Sequence, residues 1–182
     1  MELRKEILSA HSKEHSLYIA HWIGDDATRF RELMQLFLED EYRVVQRSAW
    51  IISLVGQQHP ELLPPHLPAM VARMETVGLP SAVKRNVLRV MQEMTLPPEL
   101  HGPVMNACFQ YLEDPKEMIA IKAFSMTVLS NLALSYPDIK NEIRVLLEDL
   151  LEHDPSPGIR SRAIKVLKAI SPAATTKKRH SR

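Results

Sequence analysis

A single cysteine, Cys108, stands among 182 residues, so no intramolecular disulfide can form and a reducing compartment is expected. Glycine is scarce, at five residues, which leaves little for phosphate-cradling loops. No G-x-G-x-x-G, no P-loop and no G-x-S-x-G nucleophile turn occurs. Aromatic residues make up only 5%, whereas Leu, Ile, Val, Ala and Met are plentiful. That balance favours helix-on-helix packing over sheets. No run approaches the ~18 apolar residues of a membrane helix. The opening segment MELRKEILSAHSKEH is charged throughout and lacks the apolar stretch of a secretory signal. The formal net charge of +1 selects no class of partner. A soluble cytoplasmic chain with no membrane partner is therefore expected.

What the sequence does contain is a repeat. Four segments place an apolar residue at a start position, a small or apolar one four residues on, and another eight on. They begin at Val45 (then Ala49, Ser53), Val83 (Val87, Met91), Ile119 (Ala123, Thr127) and Ile159 (Ala163, Leu167). The lags between starts are 38, 36 and 40 residues. Five residues before each start lies a turn residue: Asp40, Gly78, Asp114 and Asp154. Each turn follows a second amphipathic segment, such as Phe30, Leu33, Met34, Phe37 or Ile143, Leu146, Leu147, Leu150, with one apolar helical face. The 13 prolines fall between segments or crowd their first turns, with none expected inside a helix. The spacing predicts helix pairs over about 2–23, 25–57, 64–95, 98–135 and 138–170. These form one domain over 1–171, followed by a basic tail at 172–182.

The stretch Asp154-Pro-Ser-Pro-Gly-Ile159-Arg160-Ser-Arg-Ala163 resembles the turn and second helix of a HEAT repeat, with its Asp, then apolar-Arg, then Ala. The likeness extends over about 25–170. It implies an all-α fold: a right-handed α-α superhelix of about five antiparallel helix pairs, first helices outside and second helices lining a concave surface. A weaker architectural similarity is to the HEAT-like alkylpurine DNA glycosylases, whose basic cleft with aromatics and a carboxylate is echoed by Trp22 near Asp25 and Asp26.

Charge divides by helix type. The four repeating first-helix segments carry net charges of −3, 0, −3 and −3, and their second-helix partners +1, +2, +1 and +4. Helical geometry turns Arg47, Arg85, Lys122 and Arg162, with Arg89 and Lys165, away from the predicted core as a column on the concave side. Such a row suits an acidic peptide or a phosphodiester backbone, and equally describes an ordinary solvated face. Lys84 and Arg160 fit better as partners of a neighbouring turn carboxylate. At the N-terminal end Trp22, Ile51 and Leu54, with Ile19, are the candidates for an apolar partner patch, unless the divergent first pair buries them. Trp50 and Cys108 read as core.

His11-Ser12-Lys13-Glu14-His15 matches the H-x-x-E-H zinc pattern, but no third ligand follows, so His11 and His15 are only a weak metal candidate. The expectation is a non-catalytic scaffold without cofactor, binding an unidentified protein or acidic peptide through a basic concave face. Nucleic-acid binding, including a glycosylase, is the alternative.

Overall fold

The computed structural model describes residues 1–76, 78–153 and 156–171. Among them are ten α-helices and no strand. In chain order they are α1 (Leu3–Ser9), α2 (Lys13–Ile23), α3 (Ala27–Glu39), α4 (Tyr42–Gln58), α5 (Leu67–Met74), α6 (Ser81–Met91), α7 (Pro98–Glu113), α8 (Ile119–Leu132), α9 (Lys140–His153) and α10 (Pro157–Ile170). Short 3-10 turns at Pro60–Leu62 and Pro64–His66 lead into α5, and one at Pro137–Ile139 leads into α9. No helix among the described residues is long and apolar enough to cross a membrane.

Local chemistry sets the helix ends. Ser12 caps α2 by accepting from the His15 N–H at 3.0 Å. Asp26 caps α3, its Oδ1 accepting from Thr28 N at 2.8 Å and Arg29 N at 3.1 Å. Those two N–H donors, Arg29 first, hold the Asp26 carboxyl below its ordinary pKa. Gly24 ends α2 with φ of 51°, and Gly78 takes φ of 73° at the turn where the other repeats carry Asp. Contrary to the expectation that no proline falls inside a helix, one does. Because α7 begins at Pro98, Pro103 lies inside it. It offers no N–H to the carbonyl of Glu99 and sits on the exposed side beside Gly102, where water can reach that carbonyl.

The helices form two layers. The second helices α2, α4, α6, α8 and α10 pack side by side in that order, and α3, α7 and α9 lie against α4, α8 and α10. The second helices meet one another more extensively than the first helices do, which puts them on the inside of the curve. One apolar core runs between the layers from Leu3 to Ile170.

The buried positions correct the repeat spacing. Val45, Val83, Ile121 and Ile159 are all at most 1% exposed and recur every 38 residues. Ala49, Val87, Ser125 and Ala163 follow four residues on, and Ile52, Val90, Val128 and Val166 seven on, all buried. The expected third start, Ile119, is instead 45% exposed. The cause is a longer turn before α8. The Asp114 carboxylate accepts from Lys116 N at 2.9 Å and Glu117 from Met118 N at 2.9 Å, so the chain spends two more residues before turning inward than it does after Asp40.

Candidate binding face

With the register set at 38, the expected basic column resolves into residues with different roles. Arg47 is not free. Its Nη1 donates to the carbonyls of Ile7 (2.9 Å), Leu8 (3.1 Å) and Ala10 (3.2 Å), closing the C-terminal end of α1. Helix α1 has only seven residues and its last carbonyls have no helical partner, so the guanidinium supplies donors and a favourable charge there.

Lys122 is not on the concave side either. It is 3% exposed and lines a cavity of about 440 Å³ with Leu112, Glu113, Asp149 and His153, between α7 and α9. The register explains the error. Lys122 lies 38 residues after Lys84 and 38 before Arg160, the very residues read from the sequence as turn partners. Lys84 does act that way: its Nζ meets Glu117 Oε2 at 2.7 Å, and it lies 5.0 Å from the Tyr111 ring centroid. A second link of this kind joins Arg4 to Asp40, with Nε–Oδ2 at 2.7 Å and Nη2–Oδ1 at 2.9 Å. The hydrogen bond from Arg4 holds the Asp40 carboxyl below its usual range.

Four column residues remain on the inner layer. Arg85 and Lys165 are exposed. Arg89 is half-buried, and the Gln57 amide oxygen, turned toward it, accepts from its Nε at 2.9 Å and Nη2 at 3.3 Å. Arg162 is half-buried and donates through Nη1 to the Thr127 hydroxyl. In register, Arg85 and Arg89 of α6 correspond to Ala123 and Thr127 of α8, and to Ser161 and Lys165 of α10. The open face of α8 is therefore uncharged, flanked by arginines and a lysine on the two neighbouring helices.

A groove of about 900 Å³ opens between the first turns of α8 and α10. Met118, Ile119, Ala120, Ala123 and Phe124 form its apolar wall, and Gly158, Ser161 and Arg162 face them. A β-carbon on Gly158 would stand 2.7 Å from Ile119 Cγ2, so any side chain there would displace Ile119 from its place against α10. Sequence reasoning missed this groove because the slipped register counted Ile119 as core.

The N-terminal patch is also corrected. Ile19 and Ile51 are 1% and 2% exposed, and Leu54 packs against the core. Trp22 is half-buried, with the Arg29 guanidinium 4.4 Å from its ring centroid. Trp22 and Asp26 therefore build the start of α3 rather than a cleft. Trp50, expected in the core, is half-buried and meets the His11 ring edge-on at 6.2 Å. The histidine pair is split between different neighbours, since His15 Nε2 bonds to the Glu6 carbonyl at 2.8 Å. Among the described residues no three His, Cys, Asp or Glu side chains converge as a metal site. Cys108 lies fully in the core, where burial pushes its thiol up to about 12. The basic tail and Asp154 lie outside the described residues.

Comparison with curated proteins gave no match. A family model described as HEAT repeat domain matches residues 3–170. Neither comparison supports the glycosylase likeness. The match spans nearly all of the chain, and together with the two helix layers and the 38-residue recurrence of buried positions it identifies this chain as a member of the HEAT repeat domain family.

Proposed function

We propose that this chain is a non-catalytic scaffold that holds an acidic segment of a partner protein along the inner faces of α6, α8 and α10. A HEAT repeat domain is a helical repeat scaffold, which supports a protein partner in general terms. The observation that carries the narrower reading is the pattern on three successive inner helices: Arg85 and Arg89, then Ala123 and Thr127, then Arg162 and Lys165. Cations on α6 and α10, two helix spacings of roughly 8–10 Å apart, match carboxylates placed on either side of the centre of an extended peptide. The uncharged strip between them favours a peptide over a phosphodiester, whose evenly spaced charges would leave α8 without counterparts.

The test is fluorescence anisotropy with a labelled peptide of Glu and Ala at ~50 mM salt. Reversing Arg85, Arg89 and Lys165 to Glu should abolish binding while leaving helical circular dichroism intact. Unchanged binding by the triple variant would remove the basic strip from the account. Tighter binding of a DNA or RNA duplex than of the peptide would favour the nucleic-acid alternative.

A further inference from the structure

We propose that the groove between α8 and α10 seats one large apolar side chain of the acidic segment, so that the ligand is an amphipathic peptide with a bulky anchor rather than a merely acidic one. This rests on the scaffold reading above and adds a specificity determinant to it. Met118 and Ile119 are 48% and 45% exposed, adjacent, and share the groove with Ala120, Ala123 and Phe124. Apolar surface collected in a concavity is costly to leave in water and gains on being covered.

The register makes the site specific to this repeat. The residues 38 before Met118 and Ile119 are Pro80 and Ser81, and those 38 after are Ser156 and Pro157. No other second helix among the described residues has large aliphatic side chains at both its capping residue and its first position, as α8 has in Met118 and Ile119. Gly158 lets the α10 backbone close the far side without filling the space.

Electrostatics choose the occupant. Arg162 borders the groove, Lys165 is exposed one turn further along α10, and Arg85 is exposed on α6 across the uncharged face of α8, whereas Arg89 lines a separate cavity with Gln57 and Glu93. The one carboxylate lining the groove, Glu117, is already bound to Lys84 at 2.7 Å, and its side chain is only 4% exposed. Within the groove lining an acidic residue beside the anchor therefore meets Arg162 and no free carboxylate.

Two short fluorescein-labelled peptides test this. One consists of Glu and Ala, and the other replaces a single central Ala by Phe. On the wild-type chain the Phe peptide should bind tighter by about tenfold or more, the expectation for burying a phenyl side chain. In Met118→Ser/Ile119→Ser, whose changes lie at exposed positions, that ratio should collapse toward one while the Glu–Ala peptide keeps its affinity. Filling the groove by Ala123→Trp should also collapse the ratio, and since Ala123 lies on the strip the acidic peptide crosses, only the ratio and not the Glu–Ala affinity is read in that variant. Equal affinities of the two peptides for the wild type, both lost on reversing Arg85, Arg89 and Lys165, would overturn the anchor and leave the scaffold reading standing. If neither peptide binds the wild type at ~50 mM salt, the scaffold reading fails and the anchor with it. Self-association on a sizing column that Ala123→Trp abolishes would assign the groove to a second copy of the chain and overturn the proposal.

Discussion

Arg47 illustrates how one side chain can be claimed by the fold. Three carbonyls at the end of α1 share its Nη1, and no neutral residue of similar reach supplies a charged donor there. Arg47→Ala should destabilise the chain by about 2 kcal/mol, the scale for losing hydrogen bonds to a charged group. Hydrogen exchange should show the loss concentrated in α1 and α2, and peptide binding at α6–α10 should be unaffected. His66 offers a pH test. Its ring meets Phe30 edge-on at 5.3 Å, and burial first, then the charge of Arg31, lowers its pKa. The unfolded chain therefore takes up that proton at higher pH than the folded one does. The His66 contribution to stability is present above the unfolded value of about 6.5 and is lost as pH falls from there through the folded pKa. Urea midpoints of wild type and His66→Gln should accordingly converge, or cross in favour of the variant, between about pH 7 and pH 5. A difference that does not change with pH would contradict this assignment. Neither role was legible in the sequence, because each depends on a partner brought from another helix.

At the scale of the element, the second helix is the unit that repeats. Its buried positions recur at 38 residues although its turns differ in length. Helix existence, pairing and the first-helix cores could be read from apolar periodicity alone: Phe30, Leu33, Met34 and Phe37 are buried as that pattern requires. The α8 register could not. Asp114 and Glu117 use their carboxylates to hold a longer turn, and a template anchored on the turn residue slips by two. That slip moved Ile119 into the core and Lys122 out of it, and so hid the groove. Substitution distinguishes the registers. Ile121→Ala should cost about 2–4 kcal/mol as a buried truncation, and Ile119→Ala well under about 1 kcal/mol as a surface change. Equal costs in chemical denaturation would restore the slipped register.

At the scale of the whole molecule, the charge split between helix layers mixes cations engaged by the fold with cations left on the surface. Part of it is internal wiring, as with Lys84 to Glu117 and Arg47 to the end of α1. Another part lies toward the C-terminal half of the inner layer, where Arg85, Arg162 and Lys165 flank an uncharged α8 face. The sequence showed the split but not which cations were already engaged, since engagement depends on neighbours about 38 residues away. Under the proposed function, an inner face cationic at its flanks and apolar at its middle would take a chain with acidic flanks and an apolar centre. Amide chemical-shift mapping tests this most directly, by titrating the labelled chain with the Phe-containing acidic peptide. The account predicts perturbations on the inner faces of α6, α8 and α10, centred on Ala123 and Phe124, with α3 and α9 silent. Perturbations confined to the outer helices, or clustered on α1 to α4, would contradict it.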